Sequence, residues 1–250
     1  MERFAPSRIH FVGDEAALAR DAAERIVRRL AHASRDRERL AVCLTGGSTP
    51  RHLYALLATE AYRGRLPWPR IHWFFTDERF VPQDDERNNA RMAIDALLDR
   101  APVPRENVHR MRTDAADAHE SAKLYETQLR AFHAGGRIDK PPPLFDVVLM
   151  GLGPDGHTAS LYPGHTSLDE TKRWALGIDM AGYEPYVPRV TLTFPALASA
   201  REMLFLVSGE DKRDAIARVM QNEDLPSARA HSEGELLWLV TRSARPAGAY

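Results

Sequence analysis

Asp155-Gly156-His157 sets a carboxylate two residues from an imidazole. A carboxylate so placed can fix the ring tautomer and raise its basicity, which suits a general base. An isolated histidine is usually structural, and the chain has ten. His157 stands out because it follows an apolar run and sits among glycines. Gly46-Gly47-Ser48-Thr49 offers different chemistry. Glycines let main-chain N–H groups approach an anion closely, and a following helix N-terminus adds a favourable partial charge. The hydroxyls of Ser48 and Thr49 can add hydrogen bonds. Taken alone, this segment fits a phosphate site and a tight turn with a helix cap equally well. Thr76-Asp77-Glu78-Arg79 gathers charge directly after an apolar stretch. It reads either as a solvated loop or as carboxylates for proton handling beside an arginine for an oxyanion. Arg189 starts a strand-like run and is either a surface cation or a ligand clamp. Lys212 lies near the start of a helix, where a cation opposes the dipole. A bound anion would rationalise it.

Several familiar chemistries are excluded. Gly46 to Thr49 lacks the Gly-Lys-Ser/Thr ending of a Walker A loop, and it does not complete the G-x-S-x-G elbow of serine hydrolases. Gly151-Leu-Gly-Pro-Asp-Gly156 matches the dinucleotide pattern G-x-G-x-x-G literally. However, Asp155 would face the pyrophosphate, Pro154 removes a donor, and Pro163-Gly164 leaves little room for the long crossover helix. No His-x-x-x-His or Cys-x-x-Cys spacing occurs, so no metal is expected. The one cysteine, Cys43, can form no intrachain disulfide and reads as a buried inert thiol.

The elements that would position these residues alternate between strand and helix. Apolar runs at 8–12, 40–44, 71–75, 145–150, 189–194, 203–207 and 236–240 read as strands. A helix capped by Asp14 runs to about Ser34, with Leu18, Ala22, Ile26 and Leu30 on one face. Further helices are expected over 51–58, from Asn89 to Asp99, from a cap at Asp114 to His133, and from Asp211 to Met220. Gly135-Gly136 should end the third of these. Residues 76–89 read as a polar loop, 108–111 as a short strand, Pro141-Pro-Pro143 as a stiff loop, and the tail from Ser243 as loose. This order implies an α/β fold with a mostly parallel sheet. Ligands bind such sheets at the carboxyl ends of strands. The segments 45–49, 76–89 and 151–164 all follow strands and would converge on one cleft.

The bulk composition is permissive. The chain has 250 residues, 44% hydrophobic and 28% charged, with 34 Lys+Arg against 35 Asp+Glu and a net charge of −1. These values fit a globular chain with a sizeable core, read as one domain over 1–250, and argue against a nucleic-acid binder. No stretch of about 18 apolar residues exists to span a membrane, and the N-terminus lacks a signal-peptide core. A cytoplasmic location is the default expectation. Only four of the cations are lysines: Lys123, Lys140, Lys172 and Lys212.

The chain resembles the 6-phosphogluconolactonase family. The matching stretches are Leu44-Thr-Gly-Gly-Ser-Thr-Pro50, Phe75-Thr-Asp-Glu-Arg-Phe-Val-Pro82 with Asn88-Asn89, Gly151 to Gly164, Pro188-Arg-Val-Thr-Leu-Thr-Phe194, and Ser208-Gly-Glu-Asp-Lys-Arg213. They lie in order over almost the whole chain. The resemblance implies a Rossmann-like α/β fold shared with glucosamine-6-phosphate deaminases, and no metal or organic cofactor. It implies hydrolysis of 6-phospho-D-glucono-1,5-lactone to 6-phosphogluconate, the second step of the oxidative pentose phosphate pathway. The partner would be a small phosphosugar lactone. Gly46, Gly47, Ser48 and Thr49 would cradle the 6-phosphate with Lys212 as counter-charge, and Asn89 would lie in the substrate site. His157 would act as general base, supported by Asp155. Arg79 and Arg189 would hold the sugar acid and stabilise the oxyanion, and Asp77 would orient hydroxyls or water. A lactone is an activated ester, so a positioned water, a base near neutrality and an oxyanion stabiliser suffice.

Two other readings compete. The related deaminases share much of this site but carry a glutamate just before the proline that follows the histidine. Here that position is Tyr162. A non-catalytic sugar-phosphate sensor would need a DNA-binding segment, and none stands out.

Overall fold

The computed structural model describes residues 9–134, 137, 138 and 141–248. Arg8 and the expected helix stop at Gly135-Gly136 lie outside these residues. Strand β1 (Ile9–Val12) leads into α1 (Glu15–Ala33), where the Asp14 carboxylate accepts from the Ala17 N–H at 2.8 Å. Leu18, Ala22, Ile26 and Leu30 are all buried, as the 3.6-residue period requires. Then follow β2 (Leu40–Leu44), α2 (Ser48–Leu57), α3 (Glu60–Arg63), β3 (Ile71–Phe75) and β4 (Asp77–Arg79). Next come α4 (Asn89–Ala93), which runs into a π-helical turn (Ile94–Leu98), and α5 (Ala118–Phe132). The chain continues through β5 (Val147–Met150), β6 (Ala175–Ile178), β7 (Arg189–Leu192), α6 (Phe194–Ala198) and β8 (Glu202–Val207). It closes with α7 (Arg213–Met220), α8 (Pro226–Arg229) and β9 (Glu235–Thr241).

Six strands form one parallel sheet in the order β1-β9-β8-β5-β2-β3. Its inner strands are buried on both faces. In β2, Ala41 and Cys43 join one core, with α5, α6 and α7, while Leu40, Val42 and Leu44 join the other, with α1 and α2. This two-sided burial explains the unbroken apolar runs. From β2 the chain moves outward to β3, then returns to β5 on the other side of β2. That reversal opens a crevice beyond the carboxyl ends of β2 and β5, where such sheets bind ligands.

A second sheet, antiparallel and ordered β4-β7-β6, sits against this end. It corrects two expectations and adds one strand. Residues 76–89 are not all loop, because Asp77–Arg79 pairs with Arg189–Thr191. β6 had no strand signal. β7 lies outside the main sheet and stops at Leu192, and Phe194 starts a helix instead.

Local corrections have simple causes. The cap of α5 is Asp117, whose carboxylate accepts from Glu120 N–H, not Asp114, which pairs with Arg112. Of 108–111, only Val108 pairs, with Trp73. The segment around Ser243 is held: Ala244 is buried, and the Ser243 hydroxyl accepts from Gly209 N–H.

Candidate active site

A cleft of about 210 Å³ opens at the crevice, lined by residues from both sheets. The loop after β2 contributes Thr45, Gly46 and Gly47. The Tyr54 hydroxyl clamps this loop, receiving Thr45 N–H at 3.0 Å and donating to Thr45 O at 2.8 Å. Gly47 has φ +107°, a conformation that disfavours any side chain. Ser48 and Thr49 begin α2 and stand outside the lining, so only the glycine half of the expected cradle faces the cleft.

The loop after β5 brings in Gly151 to Pro154, His157 and Thr158. It leads to a 3₁₀ turn at Thr166–Asp169 and to no α-helix before β6, in keeping with the rejected dinucleotide reading. His157 Nδ1 lies 2.5 Å from Asp155 Oδ1, whose carboxylate also accepts His157 N–H. A Cβ on Gly153 would collide with both the His157 ring and the Asp155 carboxylate, so glycine is required there. Burial by itself would raise the Asp155 carboxyl, but its bonds to His157 outweigh that and hold it below the ordinary carboxylate range. A carboxylate can only accept, so Nδ1 donates to it, and in the neutral ring the lone pair is left on Nε2. The rings of Tyr162 and Tyr183 lie 5.0 and 5.6 Å from the imidazole, centroid to centroid.

The antiparallel sheet supplies the charge. Asp77 is 7% exposed and accepts from the Ser160 hydroxyl at 2.7 Å and the Thr76 hydroxyl at 3.2 Å. Arg79 and Arg189 face each other in register across β4 and β7. Like charges directly opposite on one sheet repel. Arg189 is buried, its Nη2 donates to Pro185 O at 2.7 Å, and burial lowers its pKa despite the nearby Tyr162 and Asp77. Arg79 Nη1 donates to Arg87 O at 2.8 Å. The Nε of each arginine is buried and has no hydrogen-bond partner among the described residues. Two juxtaposed guanidinium groups with unused buried donors are the makings of an anion site.

Asn89 bridges the two sheets. Its Nδ2 donates to Asp77 O at 3.0 Å, and its side chain fills the space that a Cβ on Gly46 would need. Lys212 ends a 3₁₀ turn (Glu210–Lys212) at the carboxyl end of β8 and reaches the cleft, with Asp211 Oδ2 2.8 Å from its Nζ.

The structure thus brings together Gly46, Gly47, Asp77, Arg79, Asn89, His157, Arg189 and Lys212, with Asp155 behind His157. Tyr183 and Glu184 also line the cleft, and sequence reasoning missed them. They lie in the connection from β6 to β7, which carries no recognisable pattern. Among the described residues, no three His, Cys, Asp or Glu side chains gather in a metal-binding arrangement.

Comparison with known proteins matches the chain to a family. Residues 13–238 fit the family described as glucosamine-6-phosphate isomerases/6-phosphogluconolactonase. A 6-phosphogluconolactonase of Synechocystis sp. is 37% identical over 225 residues, covering 88% of this chain and 89% of that protein. One of Mycobacterium tuberculosis is 35% identical over 245 residues, covering 95% and 97%. Among solved structures, 6-phosphogluconolactonase from Trypanosoma cruzi superposes with a TM-score of 0.82 at 28% identity, covering 97% of each chain. A monomeric glucosamine-6-phosphate deaminase shares the fold, with a TM-score of 0.77 at 18% identity over 95% of this chain and 98% of that one. The motifs, the paired sheets and these relatives agree, and the chain belongs to the glucosamine-6-phosphate isomerase/6-phosphogluconolactonase family.

Proposed function

We propose that the chain hydrolyses 6-phospho-D-glucono-1,5-lactone to 6-phosphogluconate, the second step of the oxidative pentose phosphate pathway. The observation that carries this reading is one cleft joining the Asp155–His157 pair to two opposed guanidinium groups with unused buried donors. The names of the relatives support it. A small phosphorylated lactone in the cytoplasm is the partner in this reading.

His157 Nε2 takes a proton from water as the water oxygen bonds to the lactone carbonyl carbon. Arg79 and Arg189 stabilise the negative charge that develops on the carbonyl oxygen. The tetrahedral species collapses by breaking the ring C–O bond, and the imidazolium returns its proton to the departing hydroxyl oxygen. Asp155 holds the ring and stabilises its charged form. Asp77 orients water or sugar hydroxyls. The 6-phosphate meets the main chain at Gly46 and Gly47 and the Lys212 ammonium, with Asn89 bracing that loop.

Tyr162 favours hydrolysis over deamination. Its buried ring packs on His157 at the position where the related deaminases carry a carboxylate. The test is hydrolysis of freshly generated lactone, with the spontaneous rate subtracted. Acceleration is expected for the phosphorylated lactone, and no ammonia from glucosamine 6-phosphate. The opposite pattern would overturn the reading.

A further inference from the structure

Glu78 lies between two residues of the cleft yet takes no part in the chemistry above. Strand alternation sends Asp77 and Arg79 to one face of β4 and Glu78 to the other. Glu78 is 1% exposed. A buried carboxylate is costly unless it is well satisfied, and this one accepts three main-chain N–H groups. Oε1 receives Arg79 N at 2.8 Å and Asn89 N at 2.7 Å, and Oε2 receives Ala90 N at 2.8 Å. Asn88 completes the helix start by accepting Arg91 N at 2.9 Å. One carboxylate therefore fastens β4 to the first turn of α4 across the excursion of residues 80–88.

That fastening reaches the cleft at three points. It holds Asn89, whose side chain donates to Asp77 O and fills the space beside Gly46. It fixes the main chain of Arg79, whose guanidinium is tied to Arg87 O in the bridged excursion. Through Asn89 it also sets the glycine loop after β2 against Asp77. The main-chain bonds draw the Glu78 carboxyl down, but burial is the larger influence and leaves it raised, to about 7.

Resting on the functional reading above, we propose that Glu78 is a positioning residue for lactone hydrolysis, bracketing Arg79, Asn89 and the Gly46-Gly47 loop into one rigid unit. A misplacement of about 1 Å can cost on the order of 100-fold in rate. An uncharged amide at this position keeps the volume but turns an NH2 group onto a main-chain N–H.

The experiment compares wild type with E78Q and with E78D, which keeps the charge but is too short to reach both Asn89 and Ala90. Three readouts are taken: kcat/KM, the dissociation constant of 6-phosphogluconate, and amide hydrogen exchange at Asn89 and Ala90. Both variants are expected to fold, to exchange these two amides at least tenfold faster, and to lose roughly 10- to 100-fold in kcat/KM. E78Q should also weaken 6-phosphogluconate binding, and most of that weakening should vanish when E78Q is placed in an R79A/N89A background, because Glu78 acts through those residues. Folded E78D or E78Q with kcat/KM within threefold of wild type would overturn the proposal, as would an undiminished weakening in the double background. Wild-type chain that fails to accelerate lactone opening would strike the functional reading. The bracket would then stand or fall on the amide exchange, with unchanged protection at Asn89 and Ala90 overturning it.

Discussion

The two sheets meet at the cleft but contribute in opposite ways. The six-stranded parallel sheet offers its strand ends. Its loops supply main-chain donors at Gly46 and Gly47, the Asp155–His157 pair and Lys212. None of these side chains is drawn into the core, and the His157 side chain keeps 18% exposure. The three-stranded antiparallel sheet offers its strand interiors instead. Asp77, Arg79 and Arg189 are fixed by register, and Asp77 and Arg189 are buried. Loops at strand ends can place a group that must gain and lose a proton. A hydrogen-bonded ladder holds permanent charges at a spacing that repulsion alone would disfavour. Under the proposed mechanism this is a division of labour, with proton transfer and phosphate binding on the parallel side and oxyanion stabilisation on the antiparallel side.

The strongest way to break this division is His157→Ala. It should lower kcat on the order of 1,000-fold, as loss of a general base does, while product binding changes little. Steady-state kinetics with product titration checks this, and comparable losses in both would deny that the parallel side specialises in proton transfer. Arg189→Met should lower kcat/KM by roughly 100-fold. It should also shrink the rise in Tm that saturating 6-phosphogluconate gives the wild type. Without ligand its Tm should stay within a few degrees, because removing a like charge and an unsatisfied buried donor offsets the lost bond to Pro185. A large drop in the ligand-free Tm would mean that Arg189 serves the fold rather than the ligand.

Lys212→Ala should raise KM about tenfold for the phosphorylated lactone and leave unphosphorylated gluconolactone unaffected. Equal effects on both substrates would remove Lys212 from the phosphate. The gentlest effect concerns pH and Glu78. Its carboxyl is raised from 4.5 to about 7 in the folded chain. The folded protein therefore binds a proton that the unfolded chain has released between these values. This contribution to stability is full below about pH 4.5 and is lost as pH rises through about 7, at no more than about 1.4 kcal/mol per pH unit. Urea unfolding from pH 5 to 8 should show that decline in wild type and a flatter profile in E78Q.

The elements of the parallel sheet are legible in the sequence because burial on both faces writes strands such as Leu40–Leu44 and Met203–Val207 as unbroken apolar runs. The antiparallel sheet is not legible in the same way. Asp77-Glu78-Arg79 carries no apolar signal, and its strand character comes only from pairing with β7. Ala175–Ile178 contains a glycine at 177, where a Cβ would strike the backbone of α5 at Ala118 and His119. Close packing, not strand propensity, selects that residue. Likewise Tyr183 and Glu184 reach the cleft because of how the β6–β7 connection folds back, and no local pattern announces it.

Residue types at the candidate site, the alternation that makes a parallel sheet, and the glycine-bearing segments at its strand ends are all readable from the sequence alone. Those features are local: period, composition and spacing along a few residues. The tertiary structure decided which charges meet. It put Arg79 opposite Arg189, buried Glu78 against the start of α4, and left Ser48 and Thr49 outside the cleft lining. The first of these joins residues 110 apart in sequence, and the second residues 11 and 12 apart. Register and burial, not residue type, then settle whether a charge is solvated surface or part of a site.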